Sequence, residues 1–293
     1  LAGRASVKQL AALARGLSRN PDSHASGVAL SGLESLRGAG LFDAPAQQAY
    51  RRFVLNTYRP LADQLGGDLR TGAYAGEDPE QTQRRIAMID AMAGPARDKQ
   101  TVTRLRRAAE AFLAGDTAAL DPMWYEQALS IWLAGKGVAG AKDLFARALA
   151  TQDPSLRPYL LGTIGASGDK AIGAWIINQA KDDRLRASER LGLLRGVIAT
   201  PGTRNMGYDW MKGHLDDLLS GSGGIFFASR LPQMVAGFCS IERADSLAAD
   251  LGPRLAGTAA ELELKRTVER VRDCGILQLS RKTEASRDMQ KLR

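Results

Sequence analysis

The sequence is poor in the residues that build metal sites and disulfide frameworks. Its 293 residues include two histidines, His24 and His214, and two cysteines, Cys239 and Cys274. A hydrolytic zinc site usually needs two or three imidazoles at helical spacing and a carboxylate, as in H-E-x-x-H, and that motif is absent. We therefore expect no metal or other cofactor in this chain, and no disulfide framework.

The two cysteines lack C-x-x-C spacing and lie among apolar residues. Phe238 precedes Cys239, and Ile276 and Leu277 follow Cys274 closely. Buried free thiols are the favoured interpretation, because an unpaired cysteine behaves as a small apolar residue. A single bridge between the two is the alternative, so the redox compartment of the protein stays open.

Aromatic residues and long apolar runs are also scarce. Aromatics make up 6% of the chain, and no apolar run approaches the roughly 20 residues that cross a bilayer. The net charge of +8 could attract nucleic acid or an anionic surface. The basic residues, however, are distributed over presumed helix faces without stacking aromatics or a nucleic-acid fold signature. We therefore expect neither a nucleic-acid nor a membrane partner.

Motifs of other common enzyme classes are missing as well. The chain has no G-x-S-x-G, no Walker A sequence and no clean dinucleotide-binding fingerprint. Carboxylates between Glu242 and Glu269 alternate with arginines, as i, i+4 pairs on solvated helix faces do. Because no acid–base pair stands out, we predict no catalytic residue in this chain.

Ala, Leu and Arg dominate the composition, which favours helix over strand, and helix start signals recur along the chain. Asp78–Gln81 has an N-cap residue, a proline at the first helical position and a capping-box glutamine. Asp121-Pro122 and Asp153-Pro154 repeat the Asp-Pro start. Thr258 with Glu261 predicts a capping box ahead of a long last helix.

Glycines mark the predicted helix ends. Gly115, Gly135, Gly168 and Gly202 each follow an apolar periodic stretch, where a left-handed residue closes a helix at low energy. Between residues 121 and 256 the starts fall at intervals of roughly 32 to 36 residues, each with room for two helices of about three turns. Such hairpins cannot bury their apolar faces alone, so they are expected to stack on one another.

The predicted fold class is therefore all-α: an α-α superhelix, or HEAT-like solenoid, of stacked helical hairpins. Residues 1–115 form an N-terminal helical part packed on the following repeats, and residues 116–293 contain the hairpins and the long terminal helices. Because no charged linker separates the two, one continuous domain is favoured over two. Pro60 predicts a kink or an early end in the longest early helix, and residues 66–78 form the most loop-like stretch.

The C-terminal third carries a more specific pattern. In this pattern, a stretch that ends in a tryptophan-containing helix is followed by a Gly/Ser-rich turn, a helix, a short helix start and a long terminal hairpin. The segments that carry the pattern are Asn205–Lys212, Leu215–Leu219, Ser229–Leu231 and Phe238–Ser240. This order resembles the C-terminal helical domain of the gluzincin aminopeptidases, which include the endoplasmic reticulum, puromycin-sensitive and alanyl aminopeptidases. Residues 104–116 and Arg190–Val197 resemble upstream segments of the same domain, so the resemblance spans nearly the whole chain.

The resemblance implies that this chain is one domain of a larger enzyme and that other domains bind the zinc and the substrate N-terminus. The parent enzyme would bind zinc through H-E-x-x-H and a downstream glutamate, and would bind the substrate N-terminus through a G-x-M-E-N loop. Both belong to domains that are not in this chain. The helical domain would close over the active site and could contact the distal part of a peptide substrate. Its implied partners are thus the catalytic domain of the parent chain and the peptide.

The resemblance also suggests candidate substrate-binding residues. A basic wall suits the free carboxylate of a peptide, because arginine offers it a bidentate fork. Arg204 and Arg230 lie near the family-like stretch and are candidates for this role, with ordinary surface cations as the alternative. The family fingerprint, Asn205, Tyr208 and Trp210, is interpreted as structural.

Two other classes of function remain open at this stage. One is a stand-alone HEAT-like scaffold that binds a protein partner. The other is a basic helical module that binds RNA or DNA, which a steep salt dependence of binding would reveal.

Overall fold

The computed structural model describes residues 5–179, 182–220 and 224–292. Within these ranges the chain forms helices and connections, with no strand, which confirms the all-α prediction. A 3-10 turn at Pro122–Trp124 precedes the sixth helix. The helices are α1 (Val7–Leu17), α2 (Ser23–Gly38), α3 (Ala44–Leu65), α4 (Pro79–Ala93), α5 (Lys99–Leu113), α6 (Tyr125–Leu133), α7 (Gly137–Ala150), α8 (Leu156–Gly165), α9 (Lys170–Gln179), α10 (Ala187–Ala199), α11 (Arg204–Gly213), α12 (Leu215–Ser220), α13 (Gly224–Val235), α14 (Ile241–Leu255) and α15 (Glu261–Gln290).

The predicted Asp-Pro starts begin helical structure, with one shift in position. The Asp78 carboxylate accepts hydrogen bonds from the backbone N–H groups of Glu80 and Gln81, so α4 begins at Pro79 as predicted. Asp121 caps the 3-10 turn in the same way. The start at Asp153 is wrong by two residues: its carboxylate accepts from the N–H of Ser155 at 2.8 Å, and α8 begins at Leu156.

The long terminal helix begins two residues after the start that a cap at Thr258 predicts, and its cap differs in detail. Glu261 is the first residue of α15, and its carboxylate accepts from the N–H of Gly257 at 2.8 Å instead of from that of Thr258. The Thr258 hydroxyl accepts from the N–H of Ala260. Of the two outcomes predicted at Pro60, the early end is wrong, because α3 continues through it to Leu65. The kink stays a prediction.

Gly168 and Gly202 end neighbouring helical segments for different reasons. Gly168 has a φ of +71°, in agreement with the prediction, whereas the φ of Gly202 is not positive, so that prediction is wrong. A Cβ on Gly202 would lie 2.4 Å from the carbonyl oxygen of Gly168, so glycine is required there by the close approach of two backbones. The two positions are 34 residues apart, as are Gly173 and Gly207, which matches the predicted hairpin interval.

Tertiary contacts divide the chain into two compact units. The first unit comprises Leu1–Trp132 and Leu277–Arg293, and the second comprises Leu133–Ile276. The first unit therefore extends past residue 115, to Trp132. Residues 117–121 belong to it because they are hydrogen-bonded to the loop at residues 66–78: the Asp121 N–H donates to the Leu69 carbonyl at 2.7 Å. That residues 1–115 and 116–293 form one continuous domain stays a prediction.

In the first unit, α1 packs on α2, and α4 packs on α2, α3 and α5. The end of α15 holds the turn between α2 and α3. The Gln278 side chain donates to the Ala39 carbonyl at 2.9 Å, and the Ser286 hydroxyl donates to the Leu41 carbonyl while accepting from the Asp43 N–H, both at 3.0 Å.

The loop predicted at residues 66–78 is held by a buried arginine from α4. Arg85 is 2% exposed, its guanidinium pairs with both carboxylate oxygens of Glu77, and its Nη1 donates to the Gly66 carbonyl at 3.2 Å. It also lies 3.6 Å from the centre of the Tyr74 ring, and the Tyr74 hydroxyl accepts from the Asp68 N–H at 2.7 Å. A charged side chain therefore provides the organising contacts of this loop.

The second unit is built from stacked helical hairpins. α8 packs on α7 and α10, and α10 packs on α11 and α13. The α8–α10 contact is close enough that a Cβ on Gly196 would lie 2.8 Å from the carbonyl carbon of Gly165. Arg157 of α8 forms a bidentate pair with Glu189 of α10 and donates to the Ala148 carbonyl at the end of α7. The close approach of Gly165 and Gly196 and the hydrogen bonds of Arg157 thus join α8 to α7 and α10.

Cys239 and Cys274 form a disulfide, so the interpretation as free thiols is wrong. Cys239 lies in the connection before α14, and Cys274 lies in α15. Their Cα atoms are 4.9 Å apart because the start of α14 meets α15: a Cβ on Gly275 would lie 2.8 Å from the backbone nitrogen of Ile241. A separation of 35 residues in sequence does not reveal this proximity.

Candidate functional site

A groove of about 270 Å³ lies between α10 and α13 in the second unit. The residues that line it recur at intervals of three and four along each helix, so each set occupies one helix face. Its apolar side chains range from the buried Met234 to Phe226, which is 51% exposed. The lining residues are Ser188, Leu191, Gly192 and Arg195 from α10, and Phe226, Arg230, Gln233 and Met234 from α13.

The groove carries two guanidinium groups and no carboxylate. Arg195 and Arg230 are both exposed, and within the ranges that the structure describes neither forms an ion pair. The Arg230 guanidinium lies 5.4 Å from the centre of the Phe226 ring, a cation–π contact between two residues that line the groove. Nothing lies within 4 Å of the position that a Cβ on Gly192 would take, so the groove is open at this point. This arrangement suits an anionic group attached to an apolar body.

Arg204, the second arginine singled out from the sequence, does not line this groove. Its Nε and Nη2 donate to the carbonyls of Ile198 and Ala199 at 3.2 and 2.6 Å, at the C-terminus of α10. Its guanidinium also lies 5.6 Å from the centre of the Phe238 ring, and burial lowers the pKa of the group from its ordinary value. A cation at this end of a helix stabilises it. The structure thus brings Arg230 together with Arg195 and not with Arg204.

Tyr208 of the family-like stretch links α11 to α14. Its hydroxyl donates to the Asp250 carboxylate at 2.9 Å, and the other oxygen of Asp250 pairs with Lys212 at 2.8 Å. Burial, together with this carboxylate, raises the pKa of Tyr208. Burial alone would raise the pKa of Asp250, but the hydrogen bonds from Lys212 and Tyr208 lower it below its usual value. Asp250 therefore remains ionised between two donors.

Asn205 and Trp210 also contact neighbours within the second unit. The Asn205 side-chain oxygen accepts from Arg243 at 3.1 Å. Trp210 packs against the core of the unit, and its ring stacks on that of His214 at 4.2 Å. His214 Nδ1 lies 2.8 Å from the Trp210 carbonyl oxygen. These contacts are compatible with the structural role that we assign to the fingerprint.

The described residues do not fit a zinc ion. No group of three or more His, Cys, Asp or Glu side chains within residues 5–179, 182–220 and 224–292 could hold a metal. His214 stacks on Trp210, both cysteines are consumed in the disulfide, and His24 belongs to the other unit. In the same ranges no helix combines the length and the apolar content needed to cross a membrane.

Arg195 is the groove residue that the sequence analysis missed. It lies inside the family-like segment Arg190–Val197, four residues after Leu191 on the same helix face. That spacing was a usable signal for a shared face with Leu191. The missing information was that α13 lies opposite and presents Arg230 to the same groove, which is a tertiary contact.

The chain matches one protein-family model, described as the ERAP1-like C-terminal domain, over residues 1–273. Among curated proteins, none matches it. The matched region contains both helices of the groove, the Asn205–Trp210 stretch and Cys239.

Proposed function

Because the chain belongs to the ERAP1-like C-terminal domain family, and so is a domain of the gluzincin aminopeptidases, we propose that it encloses the active site of a zinc aminopeptidase without taking part in bond cleavage. The catalytic domain of the same parent is its partner. Zinc, the hydrolytic groups and recognition of the substrate N-terminus belong to that partner. Within the described ranges, the residues of this chain do not fit a metal ion.

The groove between α10 and α13 is the proposed contact for the distal part of a peptide. Arg195 and Arg230 flank it without carboxylate partners, so both guanidiniums can donate to an anion. A peptide carboxylate offers two oxygens in the planar geometry that an arginine fork matches. This unpaired arginine pair is the observation that carries the proposal.

The apolar side chains of the groove add to the same interaction. Leu191, Met234 and the half-exposed Phe226 can contact the side chain next to the carboxylate. A volume of about 270 Å³ accommodates one chain end but not a helix. We therefore propose that an extended peptide end lies in the groove and that Arg204 acts through α10, by holding the end of that helix, and not by touching the peptide.

Peptide binding by the purified chain tests the groove. We expect a labelled peptide with a free C-terminal carboxylate to bind at least tenfold more tightly than its C-terminal amide, because a charge-assisted hydrogen bond is worth about 1.5–3 kcal/mol and 1.4 kcal/mol is a factor of ten. Arg195→Met with Arg230→Met should remove that difference, as measured by fluorescence anisotropy.

The matched control is Arg270→Met, which removes an exposed arginine from α15 in the same unit. It should retain the preference for the free carboxylate. Equal affinity of the unaltered chain for the acid and the amide would remove the groove from the proposal, although the family membership would stand.

The rival function, a stand-alone HEAT-like protein-binding scaffold, is not favoured by the family membership. The reading frame that encodes the natural protein separates the two. A segment with H-E-x-x-H ahead of this domain supports the aminopeptidase assignment. A reading frame in which this domain is the whole protein favours the scaffold.

A further inference from the structure

The disulfide joins two segments that are distant in sequence but adjacent in the second unit. Cys239 lies in the short connection between α13 and α14, and Cys274 lies within α15. Both side chains are half-buried. The chain has two cysteines and both are in this bond, so no other thiol of this chain can compete for pairing.

The packing next to the bond is as close as two backbones allow. Gly275 follows Cys274, and a Cβ at Gly275 would lie 2.8 Å from the backbone nitrogen of Ile241 and 2.9 Å from the Cα of Ser240. This close approach of the two backbones accompanies a separation of 4.9 Å between the Cα atoms of Cys239 and Cys274, within the range that a disulfide spans.

The segment held by the bond also organises its surroundings. Phe238, next to Cys239, lies 4.8 Å from the Arg243 guanidinium and 5.5 Å from the Tyr208 ring, measured to its ring centre. Ser240, on the other side of Cys239, caps α14 by accepting from the Arg243 N–H at 3.1 Å. The bond thus fixes a connection that carries a helix cap on one side and an aromatic contact on the other.

From the bond and the glycine contact together, we infer that this chain acquires its fold in an oxidising compartment, outside the reducing cytosol. Disulfides persist in secreted, periplasmic or endoplasmic reticulum proteins and are rare where glutathione and thioredoxin keep thiols reduced. Closure takes two electrons and two protons from the two thiols by exchange with a disulfide of a protein oxidant, which leaves as a dithiol. The inference does not depend on the proposed peptide contact.

Alkylation of the protein in the cells that naturally produce it tests the compartment. Acid-quenched cells are treated with a thiol-alkylating reagent in denaturant, and the peptides containing Cys239 and Cys274 are analysed by mass spectrometry. We expect neither cysteine to be alkylated unless a reductant is added first, after which both are. Alkylation of both cysteines without reductant would overturn the inference.

Thermal unfolding of the purified chain tests the role of the bond in the fold. Reductant should lower the melting temperature by on the order of 10 °C, since closing a loop of this length restricts the unfolded chain. The double variant Cys239→Ser with Cys274→Ser should melt near the reduced protein and not respond to reductant. A melting temperature of the unaltered chain that reductant leaves unchanged, with loss of the bond verified, would contradict a structural role.

Discussion

Replacement of Arg85 by methionine is expected to lower the free energy of unfolding by about 3–5 kcal/mol, because removing one partner of a buried ion pair leaves the other charge without compensation. The remaining Glu77 carboxylate is 12% exposed and would retain the Thr82 hydroxyl, at 3.1 Å, as a donor. The Tyr74 ring would also lose the cation that covers its face. Denaturant unfolding followed by circular dichroism measures the change.

Arg70→Met is the matched control for Arg85→Met. Arg70 pairs with Asp68 in the same loop, but its side chain is 76% exposed, and exposed pairs contribute little. The control should leave stability nearly unchanged. Equal losses for the two variants would show that the buried arginine does not organise the 66–78 loop.

Arg157→Met is expected to lower the stability of the second unit by about 2–4 kcal/mol. Arg157 donates to both Glu189 oxygens, at 2.6 and 2.9 Å, and to the carbonyls of Ala148 and Arg184. The variant would remove a donor from each of these acceptors. The loss is costly because Glu189 is largely buried and cannot fully replace the hydrogen bonds with water. Thermal unfolding measures the loss, and Lys265→Met, which removes an exposed i, i+4 pair, should change it little.

The effect of Arg157→Met should also depend on pH. The hydrogen bond from Arg157 lowers the pKa of Glu189 below its ordinary value. A carboxyl with a lowered folded-state pKa contributes stability above the pKa of the unfolded chain, about 4.3, and that contribution is lost as the pH falls through the folded-state value. The difference between the unaltered chain and the variant should therefore shrink in acid. A difference independent of pH would show that Arg157 acts through packing alone.

The predictable parts of the fold are those that local sequence determines. Asp78-Pro79 starts a helix because the carboxylate, the proline and the first N–H groups lie within four residues. Asp153 shows the limit of the rule, since its bonds to Ser155 and Leu156 form a turn before α8 begins. α3 continues past Pro60, which the sequence alone could not establish.

The arginine pair of the groove could not be predicted from the sequence, because it depends on which helices pack together. Arg230 was singled out by its position in a family-like segment, whereas Arg195 becomes a partner only because α10 packs on α13. Arg204, singled out with Arg230, is engaged at the end of α10. The sequence predicts a left-handed helix end at Gly202, whereas glycine is required there because a Cβ would lie 2.4 Å from the carbonyl oxygen of Gly168, 34 residues earlier.

The central claim is that this chain contributes enclosing surface while a neighbouring domain supplies the metal and the bond-breaking groups. The most direct test is to measure hydrolysis of an aminoacyl fluorogenic substrate by the purified chain in the presence of zinc. We predict a rate equal to that of zinc in buffer alone. Turnover that rises in proportion to the concentration of the chain and stops when a chelator is added would contradict the account.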